Sequence, residues 1–525
     1  MSNASKEAVV VDGSSLTLED VVRVARFFYR ATIPNEVLER VQRTRQLLET
    51  QIVEKGMRCY GVTTGVGPLS RVSVSVEDAE QLQKNLVRSH ACATGAPLPT
   101  EVVRAAILLR ANALASAHSG VRPLLLKQLI ALLNHRIHPI VPSKGSVGAS
   151  GDLALLAHIA LAVIGDPEGR AEVEGRVLSA DQALRSAGLH LLTLSYKEGL
   201  ALINGLSVST AILSLATYDA EQLVRVADLA LAMSLEAVGG FLEAFDDAYL
   251  AVHSTYPLSN GHRRCADNVR RLVEGSQLLH SPQIRRAHDP YSIRCAPQIH
   301  GSVREGVAFT RQIVEHELNA VDDSPLIFED PPHCRSGGNF HGQSLALAAD
   351  VLTTALTVLG NVSERRITVL LSPNLNEVLP PFLVHPESSA GLRSGLMLAQ
   401  YVAAQLAAEN RSLSHPACVE SIPTSANFED LVSMSLTAAQ KARQVLENVQ
   451  RVLAIELLCA YQALTIRGIE RAGRGTKAAC QFLQAEGFSR IEEDRSLHPL
   501  IERLTALVRS GKLLQAVEAV VGPLA

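Results

Sequence analysis

The segment from Val445 onward constrains the fold more than any other part of this chain. Apolar residues at Leu446, Val449, Leu453, Leu457 and Ala460 recur every three or four positions, which places them on one face of a helix. Ile455, Leu458 and Cys459 fill its other faces. A helix that is apolar nearly all round must be covered on every side, so it belongs in the middle of a bundle or at a subunit interface. Similar Ala/Leu-rich helical runs lie at 101–117, 124–134, 208–231, 303–319 and 343–362. Tryptophan is absent and aromatic residues are only 4%, which favours packed helices over sandwiches or barrels. No self-similarity of solenoid length interrupts this pattern. At 525 residues the chain exceeds one ordinary core. A boundary near 203–207 divides it into an N-terminal domain, residues 1–203, and a central long-helix bundle with a C-terminal helical region, residues 204–525. The fold class expected is mainly α.

Charge and cysteine usage narrow the functional classes. Lys+Arg 49 against Asp+Glu 53 gives a net charge of −4, and no basic block or aromatic stacking series points to nucleic acid. Cys59, Cys92, Cys265, Cys295, Cys334, Cys418, Cys459 and Cys480 are scattered without a C-x-x-C pair or zinc spacing. They read as reduced thiols of a cytoplasmic protein, and no metal site is expected. Residues 1–13 lack a basic segment followed by a long apolar core, and no window reaches about 18 uninterrupted apolar residues. The expectation is a soluble, cytoplasmic protein with no membrane partner.

Gly, Pro and Asn cluster at 61–68, 139–151, 256–262, 330–338, 372–381 and 414–427, which read as loops. The second of these ends in Ala149-Ser150-Gly151. If this loop is tightly bent, the Gly151 amide nitrogen reaches the Ala149 carbonyl carbon, closes a five-membered ring and expels water. Glycine permits that approach because it has no Cβ. Loss of the Ser150 hydroxyl as a second water leaves an exocyclic methylene conjugated to the ring, a soft electrophile made from backbone alone. Asp152 is placed to cap the apolar helix that starts at Leu153, whose N-terminus favours negative charge on the ring. The alternative is a glycine-rich turn that only caps a helix.

The stretch from Gly145 to Leu153, with Leu155-Leu156-Ala157-His158, resembles the signature of the histidine/phenylalanine/tyrosine ammonia-lyase family. Tyr60-Gly61-Val62-Thr63-Thr64-Gly65, Asn85 to His90, Glu198 to Gly205, Tyr291-Ser292-Ile293-Arg294, Gly338-Asn339-Phe340-His341 and Ser425 to Asp430 resemble further family blocks, in the family's order. The resemblance implies a homotetrameric long-helix bundle of the L-aspartase-like type, with sites shared between subunits. It implies 4-methylidene-imidazol-5-one (MIO), formed autocatalytically from Ala149, Ser150 and Gly151, as the prosthetic group, with no added cofactor. The implied reaction eliminates ammonia from an aromatic L-amino acid.

The resemblance also implies individual roles. Tyr60 matches the family base; its ordinary pKa of about 10 requires nearby positive charge or the field of the electrophile to lower it. Arg294 matches the arginine that grips the substrate carboxylate, a task suited to its planar fork. Asn204 matches the amide that contacts that carboxylate and the MIO oxygen, and it is equally placed as a helix C-cap before Gly205. Tyr291 resembles a lid tyrosine and Phe340 an aromatic wall. His90 stands where members acting on polar rings carry histidine. Glu429 stands where the histidine branch has glutamate, able to accept from an imidazole N–H. The alternative for Glu429 and Asp430 is to cap a helix over 431–436. His288 departs from the pattern because the family usually carries glutamine there, and Phe428 departs because the histidine branch usually carries glutamine there. Phe428 is similar to bacterial phenylalanine lyases and aminomutases. The leading reaction is L-histidine to trans-urocanate. Tyrosine or phenylalanine lyase and a 2,3-aminomutase follow, then a noncatalytic helical scaffold.

Overall fold

The computed structural model describes residues 8–253, 258–385 and 391–525. Helices dominate, and two compact units emerge. One comprises Met1–Leu215, Arg311–Asp350 and Pro416–Gln440; the other comprises Ala216–Thr310, Val351–His415 and Lys441–Ala525. The division falls inside the four longest helices, Ser207–Ala237, Ala296–Glu317, Gln343–Leu371 and Ser435–Arg467.

The Ser435–Arg467 helix bears out the periodicity that opened this reading. Its 33 residues span about 50 Å at the α-helical rise. Val449, Val452, Leu453, Ala454, Ile455, Leu457, Leu458, Cys459 and Ala460 are all buried, so every face is covered. The Gln343–Leu371 and Ser435–Arg467 helices are long and apolar enough to cross a membrane by length and composition. Their most apolar windows are 67% and 83% buried inside the protein, as core helices of a bundle are.

One charge lies inside that apolar run. Glu456 is fully buried and accepts from Arg366 Nε (2.6 Å) and Nη2 (2.9 Å), also fully buried. Its oxygens accept further from Ser234 Oγ (2.9 Å) and Ser363 Oγ (2.6 Å). Arg366 Nη1 donates to the Ser292 carbonyl (3.3 Å) in the short Tyr291–Arg294 helix. Such a pair is tolerable only because each polar atom is answered.

Strands are few and short, and all lie in the first unit. They include the hairpin Leu326–Glu329 and Pro332–Arg335, in register Ile327 opposite Cys334. The second strand occupies much of the loop expected at 330–338; pairing with its neighbour, not local composition, extends it. The cysteines depart from expectation at one pair. Cys59 and Cys334 are joined by a disulfide, while Cys92, Cys265, Cys295, Cys418, Cys459 and Cys480 are free. The pair lies 275 residues apart, so its partnership exists only in the folded chain.

Glu456→Ala strands the buried Arg366 charge and is expected to cost about 3–5 kcal/mol. A urea titration should show the unfolding midpoint fall for this variant, and recover most of the loss in Glu456→Leu/Arg366→Met.

Candidate active site

The Gly145–Gly151 loop is held from three directions within the first unit. The Met434 amide donates to the Val147 carbonyl (2.8 Å), Ser433 Oγ to the Gly148 carbonyl (2.9 Å) and the Asp152 amide to the Gly205 carbonyl (2.7 Å). Gly148 and Gly151 take left-handed backbone, φ +69° and +74°. A Cβ on Gly148 would overlap the hydroxyls of Ser433 and Ser435, and one on Gly151 would overlap the Gly205 carbonyl. Only glycine serves at either place.

Asp152 stands at the N-cap position of the Leu153–Ile164 helix but makes no side-chain bond to it. Its fully buried carboxylate accepts instead from the amides of Val208 (3.1 Å) and Ser209 (2.7 Å), Ser209 Oγ (2.8 Å) and Ser146 Oγ (2.9 Å). It therefore caps the Ser207–Ala237 helix from outside. Burial pushes the Asp152 carboxyl up, against the pull of these donors.

Next to the loop opens a cavity of about 310 Å³. Tyr60, Ala149, Ser150, Asn204, Phe340, Phe428 and Glu429, all singled out from sequence, line it. Ser150 Oγ donates to Glu429 Oε1 (2.7 Å), and Thr424 Oγ1 donates to Glu429 Oε2 (2.8 Å). Three successive left-handed residues, Ser425, Ala426 and Asn427, lead into Phe428 and Glu429. Backbone of this kind costs about 1–3 kcal/mol per residue and concentrates at functional sites. No helix occupies 431–434; the next begins at Ser435, so Glu429 and Asp430 do not serve as its cap.

Asn204 is the C-cap residue of the Glu198–Ile203 helix. Its carbonyl accepts from Arg110 Nη1 (2.7 Å), its Nδ2 reaches the Ser150 carbonyl at 3.5 Å, and its buried Oδ1 has no partner. An orphaned acceptor beside the Ala149-Ser150-Gly151 backbone is the kind of group a ligand satisfies.

The Tyr60 hydroxyl accepts from the Gly67 amide (2.7 Å). Burial raises its pKa and the Glu429 charge adds to the rise, outweighing the Gly67 bond. Among the described residues of its own unit, the Gly67 bond is the pull downward, and it is the weaker effect. His90 ends the Ala79–His90 helix, with Nδ1 2.8 Å from the Leu86 carbonyl. A carbonyl only accepts, so Nδ1 carries the hydrogen and Nε2 is an acceptor. Burial lowers the His90 pKa, with the Leu86 bond and Glu429 opposing, so the ring stays neutral near pH 7. His90 feels the Glu429 charge without lining the cavity.

His288, Tyr291 and Arg294 belong to the second unit, and none of them lines this cavity. His288 is exposed, Tyr291 is 69% exposed, and the Arg294 guanidinium stacks 4.6 Å from the Tyr291 ring centroid. Arg294 Nε is buried and unpartnered. Sequence reasoning passed over Ser324, Ser336 and His341, which also line the cavity, and the buried Arg110–Asp322 pair (2.8 Å) behind Asn204. The adjacent carboxylates of Asp322-Asp323, after a long helix, were the available signal. In the second unit Asp228, Cys265 and His300 bring potential ligand atoms within 4.8 Å of one another. Asp228 already answers His300 (2.8 Å), Arg304 (2.7 Å) and Asn268 (2.8 Å), and burial keeps the Cys265 thiol protonated; the group reads as a hydrogen-bond cluster.

A family model described as aromatic amino acid lyase matches residues 16–485. The chain belongs to the aromatic amino acid lyase family. It is a carbon–nitrogen lyase. A histidine ammonia-lyase of Symbiobacterium thermophilum is 50% identical over 512 residues, 98% of this chain and 99% of the relative. One of Caldanaerobacter subterraneus subsp. tengcongensis is 47% identical, covering 96% and 97%. Among solved structures, Trypanosoma cruzi histidine ammonia-lyase aligns with TM-score 0.89 at 36% identity, covering 98% and 96%. A tyrosine aminomutase of Streptomyces globisporus aligns with TM-score 0.91 at 36% identity, covering 98% and 99%.

Gly151→Ala should push the loop off Gly205 and abolish lyase turnover while leaving the helical circular dichroism signal of the wild type. Wild-type turnover in that variant would mean that the close approach is dispensable.

Proposed function

We propose that this protein is a histidine ammonia-lyase that converts L-histidine to trans-urocanate and ammonia. The observation that carries the substrate is Glu429: Thr424 fixes its Oε2, and its Oε1, which accepts from Ser150 Oγ in the unmodified loop, is freed when that hydroxyl leaves as water. It can accept from one imidazole N–H, and His90 Nε2 would accept from the second N–H of a protonated ring. The names of the curated relatives support the same substrate.

Ala149, Ser150 and Gly151 are the residues from which MIO would form, and their surroundings fit it: a bend that only glycine tolerates, and the Asn204 Nδ2 donor facing the Ser150 carbonyl at 3.5 Å. The group supplies an electrophile that makes the α-amine a better leaving group. Tyr60 takes the β-proton on its phenolate oxygen, the bonding pair forms the alkene and ammonia departs. Because burial and Glu429 raise the Tyr60 pKa in its own unit, a cation has to be brought to it. The cavity lining holds no lysine or arginine, yet the substrate carboxylate also demands one. Arg294 of a second subunit answers both needs, its guanidinium fork gripping the carboxylate. Tyr291 and His288 of that subunit would close over the ring, and Phe340 would wall it. This reading takes the enzyme as a cytoplasmic homotetramer with sites shared between subunits.

A second reading, lyase or 2,3-aminomutase action on tyrosine or phenylalanine, is favoured by Phe428, which adds an apolar surface to the cavity.

The intact protein should weigh less than its encoded mass by about two waters, one for cyclisation and one for dehydration, and Ser150→Ala should regain the second and lose turnover by orders of magnitude. A protein of full mass with undiminished activity would contradict this.

A phenyl ring leaves the acceptors at Glu429 and His90 unpaired, at about 1–3 kcal/mol. Histidine should therefore exceed phenylalanine in kcat/KM by at least about tenfold, and Glu429→Gln should erode the preference. Separate assays with histidine, tyrosine and phenylalanine that resolve alkenoic from β-amino acid products decide it; a phenylalanine preference hands the site to Phe428 and the second reading.

A further inference from the structure

The disulfide between Cys59 and Cys334 ties together two parts of the active-site lining. Cys59 immediately precedes Tyr60 and is buried with Leu48, Ile52, Val53, Val62 and Ile327. Its backbone closes the turn that presents the phenol. The Val62 and Thr63 amides donate to the Cys59 carbonyl (3.1 and 3.0 Å), and the Cys59 amide donates to Thr63 Oγ1 (2.9 Å). Cys334 pairs with Ile327 in the hairpin and lies two residues before Ser336, which lines the cavity together with Gly337. The Gly337 amide donates in turn to Ser324 Oγ (3.2 Å), another lining residue.

We propose that Cys59 and Cys334 are positioning residues for Tyr60, their disulfide holding the Tyr60 turn against the cavity so that thiol reductants lower turnover. This rests on Tyr60 being the base. The turn is otherwise held by local bonds, apolar packing and one tertiary bond, from Gln83 Nε2 to the Gly61 carbonyl (3.0 Å), whereas the disulfide closes a separation of 275 residues; its loss returns conformational freedom to both segments. Proton transfer is sensitive to such freedom, since a displacement of about 1 Å can cost about a hundredfold in rate. Cys59 is sealed in the core, but Cys334 is partly exposed, so a small dithiol has a route to the bond. Dithiothreitol supplies two electrons and two protons, the S–S bond breaks to give thiols on Cys59 and Cys334, and the reductant closes to its cyclic disulfide. Oxidised glutathione reverses the step, taking the electrons and protons to become two molecules of reduced glutathione.

The test uses the full-length enzyme and whichever aromatic L-amino acid it deaminates fastest. Titration of the denatured, unreduced protein should find six thiols, and eight after reduction. Reduction should lower kcat at least about threefold with KM changed less than about twofold, because the proton acceptor is displaced and the substrate contacts are not. Oxidised glutathione should restore the rate. Cys59→Ser, Cys334→Ser and the double variant should share one low kcat, respond to neither reagent and show no additivity. The double variant also reports any direct addition of dithiothreitol to the electrophile. The residual rate of Tyr60→Phe should not change on reduction, a result that loosened structure alone would not produce. Eight thiols without reduction, an unchanged kcat after it, or an equal loss in Tyr60→Phe would each overturn the proposal. Full activity in Tyr60→Phe would instead overturn Tyr60 as base. The two failures are separable because the wild-type thiol count and reductant response are read without that variant.

Discussion

Everything at the candidate site hangs from the carboxylate of Asp152. It is buried without solvent contact, and a bare charge there would cost several kcal/mol. Four donors compensate it: two amides at the start of the Ser207–Ala237 helix, and the hydroxyls of Ser209 and Ser146. The same residue's amide is bonded to the Gly205 carbonyl, so one side chain and its own backbone fasten the loop to the segment that follows Asn204. Serine hydroxyls from 433–435 close the other side. The bend at Ala149-Ser150-Gly151 is therefore imposed by its surroundings. Cyclisation of a peptide needs an amide nitrogen and a carbonyl carbon pressed together at the expense of chain entropy, and a preformed clamp removes that cost before any chemistry begins.

The cavity beside this loop carries the acidic side chains of Glu429 and Asp430 and, among the described residues, no lysine or arginine. Glu429 brings a negative charge to this space and, together with burial, raises the pKa of the Tyr60 phenol. Arg294 has a buried, unpartnered Nε and stacks on the exposed Tyr291, an arrangement ready for an anionic partner. Behind it, Arg366 and Glu456 anchor the Ser292 carbonyl from inside the helical core. One buried ion pair thus both stabilises that unit and fixes the Tyr291–Arg294 segment.

The sequence by itself determined the helical class, the loop able to become an electrophile and the family. Those signals are local: apolar residues recurring at helical spacing, glycines where side chains cannot fit, and short blocks read in order. Tyr60, Asn204, Phe340, Phe428 and Glu429 were legible as site residues because each sits inside such a block, and the fold brings them to one cavity. The tertiary structure alone decided the rest. Asp152 sits where a cap for its own helix belongs, yet serves a helix 57 residues onward. Glu456 is a charge inside an apolar run, and its partner Arg366 lies 90 residues away. Cys59 and Cys334 looked like two scattered thiols. In each case the deciding partner is remote along the chain, and a buried charge or sulfur acquires its meaning only from the neighbour that folding delivers, which periodicity over three or four residues has no means of naming.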